Sequence, residues 1–151
     1  MHLEIDIQNA SSHCRVPTKE TFHYWLNTAL TRVDIALQDS IEISIRIVDS
    51  DEIQALNRYY RQRDKPTNIL SFNADLPPDV TPHLLGDLVI CAPVVAAEAI
   101  HLCKDEEAHW AHMAIHGLLH LLGYDHITDN EAVEMETLEA KLLAEIHEKI
   151  C

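Results

Sequence analysis

Between residues 116 and 126 the chain reads HGLLHLLGYDH, a stretch that demands a helix, a stop and a return. His116 and His120 lie four positions apart, so on a helix they project from one face, one turn apart, within reach of a single cation. Gly123 can adopt the left-handed conformation that ends a helix. The returning chain then brings His126 toward the pair as a third ligand. Metalloprotease versions of this spacing carry a glutamate directly after the first histidine, as general base. Here that position is Gly117. The motif thus poses a chemical question: what a three-histidine site does with no carboxylate placed beside it.

The flanking sequence supplies the frame. LEIDI (3–7) alternates apolar and polar residues, and IEISIRIV (41–48) puts Ile41, Ile43, Ile45 and Ile47 on one face, so both are expected strands. Pro17 and Thr18 open a helix of about five turns, with Phe22, Trp25, Leu26, Ala29, Leu30, Val33 and Leu37 as its buried stripe. Asp49 or Ser50 caps a second helix that ends near Arg61. A third strand spans Ile69 to Phe72, followed by the proline-rich loop ADLPPDVTPH (74–83). LLGDLVIC (84–91) is the fourth strand, with Gly86 a bulge or a point of close approach. Pro93 begins a short helix to Leu102, and a longer helix runs from Glu106 to Leu122. Thr128 and Glu131 form a capping box for a last helix reaching about Ile146. This order implies an α+β fold in one domain (1–151): a four-stranded mixed sheet packed with about five helices, the metal site lying on a helix and the turn after it.

Composition narrows the function. With 151 residues, 47% hydrophobic and 24% charged, the chain can bury a core without staples, and no apolar run is long enough to span a bilayer. The N-terminal MHLEIDIQN is acidic where an export signal would be basic, and reads as a first strand. Cys14, Cys91, Cys103 and Cys151 form no CxxC pair, as expected for thiols in a reducing cytoplasm. A net charge of −14 argues against a polyanionic partner. However, Arg58, Arg61, Arg63 and Lys65 fall within eight positions. From composition alone they read as a solvated helix end in preference to one patch that focuses a polyanion. Aromatic residues are only 5% of the chain, and no alternating basic-aromatic platform for bases is visible.

Three neutral imidazoles suit Zn²⁺, with Ni²⁺ and other first-row ions as competitors, and three protein ligands leave a position for water. The bland alternative is a pair of core histidines. Zinc lowers the pKa of its water to ~7, so the missing glutamate removes general-base help worth ~10²–10⁴-fold and the means of protonating an amine leaving group. Peptide hydrolysis needs that proton; phosphodiester cleavage can rely on a metal and on cations at the phosphoryl oxygens. Asp87 and Asp125 are candidate carboxylates, or else each is a solvated loop acid or a histidine-orienting acid. His109 and His112 either line the approach to the metal or lie along a partly exposed helix edge, with Trp110 turned to the core.

YRQRDKPTNILSF (60–72), LLGDLVICAPVV (84–95) and HWAHMAIHGLLHLLGYDH (109–126) together resemble the YbeY family of bacterial endoribonucleases, over nearly the whole chain. The resemblance implies a cytoplasmic, metal-dependent, single-strand-specific RNase acting in ribosomal RNA maturation, notably at the small-subunit 3′ end, and in ribosome quality control. It implies Zn²⁺ on His116, His120 and His126, and it matches Arg61 to the family's functionally important arginine, beside which Arg58, Arg63 and Lys65 would seat the RNA backbone. Implied partners are ribosomal RNA and the small subunit, with ribosomal proteins and an assembly GTPase, and no membrane. Three positions depart from the family pattern: Gln62 and Arg63 stand where glycine and lysine are common, and Asn73 where proline is frequent. Two rival readings are a metallopeptidase, against which Gly117 speaks, and a ribosome assembly factor whose metal is structural.

Overall fold

The computed structural model describes residues 2–13, 15–33, 40–74, 83–125 and 127–150. Leu37, Cys14, Cys151, His126 and most of the proline-rich loop (75–82) lie outside them. Strands β1 (His2–Asn9), β2 (Ser40–Val48), β3 (Ile69–Asn73) and β4 (His83–Cys91) form one sheet in the order β1-β2-β4-β3. The first three strands are parallel and β3 runs antiparallel on the edge beside β4. Five helices accompany them: α1 (Lys19–Arg32), α2 (Ser50–Arg61), α3 (Ala92–His101), α4 (Glu106–Leu121) and α5 (Asp129–Ile150). The fold is therefore α+β with a mixed four-stranded sheet.

Alternation divides the sheet into two faces. Leu3 and Ile5 of β1, the four alternate isoleucines of β2, and Leu88 and Ile90 of β4 are buried in the main core. There they meet the apolar stripe of α1, where Phe22 stands edge-on to both Trp25 and Trp110, at centroid distances of 5.6 and 6.1 Å. Burying each such side chain contributes about 1.5–3 kcal/mol. On the opposite face α2 covers a smaller cluster of Val48, Ile53, Leu70, Val89 and Cys91. Two free cysteines fall among the described residues, Cys91 buried and Cys103 exposed. No helix among the described residues is long and apolar enough to cross a membrane.

Helix α4 lies at the centre of the main layer, in contact with α1, α3, α5, β3 and β4. Asp105 caps its start by accepting from the Ala108 amide at 3.2 Å, and Glu106 and Glu107 favour that end of the dipole. Its end is closed by Gly123 at φ 100°. The Gly123 amide donates to the His120 carbonyl and the Tyr124 amide to the Leu119 carbonyl, at 3.1 and 2.9 Å, which is a Schellman closure. Gly86 lets this end approach the sheet: a Cβ there would collide with the Phe72 carbonyl oxygen and lie 2.6 Å from Leu121 Cδ2. β4 also carries the expected bulge, since its register on β2 slips between Glu42 and Ile43.

Two local expectations are corrected. α1 ends at Arg32, with Val33 as its C-cap, so it is about a turn shorter than the apolar stripe implied. Asp49 does occupy the N-cap of α2, yet its side chain makes no capping bond. Its carboxylate is taken by the Ser11 hydroxyl and by the Ser12 amide and hydroxyl, fastening the segment after β1 to the start of α2.

Candidate functional site

His116 and His120 sit on the one side of α4 that the core leaves accessible, and both line a cleft of about 690 Å³. Their rings are 4.6 Å apart and nearly perpendicular, with the two Nε2 atoms facing each other at 3.1 Å. In a tetrahedral zinc site with metal–nitrogen bonds of ~2.0–2.1 Å, ligand nitrogens stand roughly 3.3 Å apart. The pair is thus spaced and aimed for one cation. The described residues alone hold no group of three or more such ligands. His126, the third ligand of the sequence reading, lies outside them.

Arg61, Arg63 and Lys65 line the same cleft, together with the histidine pair and Asp125. Local chemistry explains their placement. Asn57, buried in α2, accepts from the Arg63 amide through its carbonyl at 3.3 Å, and its side-chain amide donates to the Lys65 carbonyl at 2.9 Å. These bonds fold the segment after α2 back toward β3. Arg61 Nη2 donates to the Ser71 carbonyl at 2.9 Å, and its guanidinium lies over the Phe72 ring, 5.2 Å from the centroid. No ion pair to a carboxylate holds Arg61 among the described residues. Arg58 is exposed on α2 and is not among the residues lining the cleft.

Gly117 answers the opening question in steric terms. It is buried against the sheet, where a Cβ would lie 2.7 Å from both Ile69 Cδ1 and Leu88 Cδ2. A glutamate at this position would drive into Ile69 of β3 and Leu88 of β4. Of the two alternative acids, Asp125 lines the cleft. Asp87 does not. It pairs in register with Phe72, whereas Ser71 and Leu88 are the residues that face Gly117, so Asp87 belongs to the other face of the sheet.

Behind the pair lies a carboxylate that the sequence reading missed. Glu139 of α5 is buried (8% exposed), with Oε1 2.5 Å from His116 Nδ1 and Oε2 3.3 Å from His112 Nε2. Burial opposes its ionisation, but hydrogen bonds from His112 and His116 and the charge of those rings hold its pKa down at about 2. Lys104 Nζ donates to His112 Nδ1 at 3.2 Å; desolvation pulls the lysine below its ordinary range, partly opposed by Glu139. With the lysine on Nδ1, His112 gives its Nε2 proton to Glu139. His116 gives its Nδ1 proton likewise, which leaves His116 Nε2 as a lone-pair donor toward His120. His112 therefore stands behind the pair instead of lining its approach. His112 is partly exposed, but His109 is no edge residue: it is buried (3% exposed), 2.9 Å from Glu98 Oε1. Glu98 also receives Asn68 Nδ2. A signal for Glu139 was present, since an acid sits at 139 in the buried series Met135, Leu142, Ile146.

A family model described as "Endoribonuclease YbeY" matches residues 6–147. This chain belongs to the YbeY family. It is 54% identical over 143 residues to the endoribonuclease YbeY of Cellvibrio japonicus, covering 95% of this chain and 79% of that protein. The solution structure of a protein from Thermotoga maritima superposes with a TM-score of 0.61 at 24% identity, over 97% of this chain and 91% of the other, a likeness in fold.

Two of the three departures from the YbeY pattern, Gln62 and Asn73, have a structural correlate. Gln62 adopts φ 56°, ψ 36° at the end of α2, a left-handed conformation that glycine takes without steric cost, so the family's usual residue there has a physical reason. Asn73 donates Nδ2 to the Leu121 carbonyl at 2.9 Å. It satisfies an end carbonyl of the histidine-bearing helix and ties β3 to it, a bond proline could not make.

Proposed function

We propose that this chain is a metal-dependent endoribonuclease that cleaves single-stranded RNA, acting in the cytoplasm on ribosomal RNA at the small-subunit 3′ end and in ribosome quality control. One observation carries the reading: a single cleft is lined both by two convergent imidazoles and by Arg61, Arg63 and Lys65. On a chain of net charge −14, such a cleft is where a phosphodiester would be drawn and held. The small subunit, ribosomal proteins and an assembly GTPase are the partners this role entails.

His116 and His120, with His126 as the third ligand, would hold one Zn²⁺ or another first-row divalent ion. When bound, that ion supplies Lewis-acid polarisation of a phosphoryl oxygen and a water of lowered pKa. The chain's own contribution is orientation and charge. Arg61 spends one N–H on the Ser71 carbonyl and keeps its other donors for phosphoryl oxygens, where a planar fork grips two at once. Arg63 and Lys65 seat the neighbouring phosphates. Asp125 is the cleft carboxylate that could receive a proton. The peptidase reading is not supported, because the base position of that motif is turned into the sheet. Gel analysis of single-stranded RNA incubated with purified protein, with and without chelator, tests the proposal; cleavage that chelation leaves untouched would refute metal dependence.

Glu139 orients His116 for this task, so Glu139→Ala is expected to lower zinc affinity by about 10–100-fold. Glu139→Gln, which keeps an acceptor but loses the charge, should fall between the two. Titration against a chromophoric chelator reads the affinity directly, and equal affinities across the three proteins would remove Glu139 from the site.

A further inference from the structure

The sequence displays no aromatic platform, but the fold assembles one. Tyr59 and Tyr60, at the end of α2, are 75% and 51% exposed, and their rings meet edge to face at 4.7 Å. Tyr60 continues onto Phe72 of β3 at 5.1 Å, and Arg61 closes the series over the far ring, 5.2 Å from its centroid. Of the eight aromatic residues implied by two Trp, four Tyr and two Phe, three gather at this one place. It adjoins the cleft through Arg61 and is flanked on α2 by exposed Arg58.

We infer that Tyr59 and Tyr60, backed by the partly buried Phe72, form a stacking platform for the unpaired bases of the RNA strand whose phosphate lies in the cleft. The inference rests on the reading of the cleft as an RNA site and names where the neighbouring bases go. Exposed tyrosine rings beside guanidinium groups are the chemistry that receives single-stranded nucleic acid: bases stack on the rings while the cations track the phosphates. A duplex hides its base faces, so such a platform selects unpaired strands. Charge sets the direction of the strand. Asp87 sits opposite Phe72 in register and lines the open sheet face beyond Tyr60; Glu52 on that face is paired with Arg46, so the Asp87 carboxylate is what disfavours a polyanion crossing the sheet. The strand is therefore kept along the end of α2, where Arg58 contacts backbone outside the cleft.

The test uses fluorescence anisotropy with the full-length, metal-loaded protein and two nuclease-resistant 2′-O-methyl phosphorothioate strands of equal length, an oligouridylate and its abasic counterpart. Wild type is expected to bind the oligouridylate about tenfold or more tightly than the abasic strand. Tyr59→Ala/Tyr60→Ala should lose that preference and bind both strands at the abasic level, whereas Tyr59→Phe/Tyr60→Phe should retain it. Equal binding of both strands by wild type, or an equal loss on both strands in the alanine variant, would overturn the platform and leave the cleft reading intact. Failure of wild type to bind either strand would overturn both. Since both tyrosines are exposed, a melting curve close to wild type is expected for the variants and confirms that binding is read on folded protein.

Discussion

Gly117→Glu is expected to unfold much of the protein and to produce no peptidase. A Cβ at 117 already lies 2.7 Å from Ile69 Cδ1 and Leu88 Cδ2 and 3.3 Å from Ser71 Oγ. Overpacking of this kind costs about 1–3 kcal/mol. The rest of a glutamate adds a carboxylate without a partner among Ile69, Leu88 and the helix backbone, at several kcal/mol more. Against a typical total of about 5–15 kcal/mol, the sum removes most of the margin. Gly117→Ala separates the terms, because its helix-propensity gain of about 1 kcal/mol roughly offsets the smaller clash. Urea unfolding followed by far-ultraviolet circular dichroism measures both variants. A Gly117→Glu protein with the wild-type midpoint would mean that α4 does not pack on β3 and β4 through this residue.

Arg61→Ala should keep the fold and the metal but cut single-stranded RNA about 10²–10³-fold more slowly. The side chain is exposed, and its loss sacrifices one hydrogen bond to Ser71 and one ring contact, together about 1–2 kcal/mol. Its weight lies in the cleft, which it lines together with His116 and His120. Arg61→Lys retains the charge but not the fork, so it should restore only part of the rate. Metal analysis and cleavage kinetics on the same preparations decide the matter. An Arg61→Ala enzyme at full rate would remove the arginine from the chemistry, and one that had lost its metal would make it a structural residue.

The features legible in the sequence are those written in local spacing. HGLLHLLG carries both the i, i+4 pair and the glycine that closes α4, and IEISIRIV states which face of β2 is buried. What local spacing hides is contributed by partners distant in the chain. His109 shares a helical spacing with the partly exposed His112 and His116, and its burial follows from Glu98 on α3. Asp49 offers a capping carboxylate, but Ser11 and Ser12 reach it from the segment after β1. Tyr60 and Phe72 become neighbours only because the chain folds back from α2 into β3. Glu139 was visible as an acid within an apolar series, but its partners His112 and His116 are on another helix.

The central claim is that one cation held by the imidazoles of α4 is what makes the cleft cut RNA. Zinc stoichiometry and RNA cleavage, measured on a single preparation of wild type and of His120→Ala, test it most directly. The account predicts about one zinc per wild-type chain, and loss of metal and cleavage together in His120→Ala. Cleavage at the wild-type rate by metal-free His120→Ala protein would contradict it.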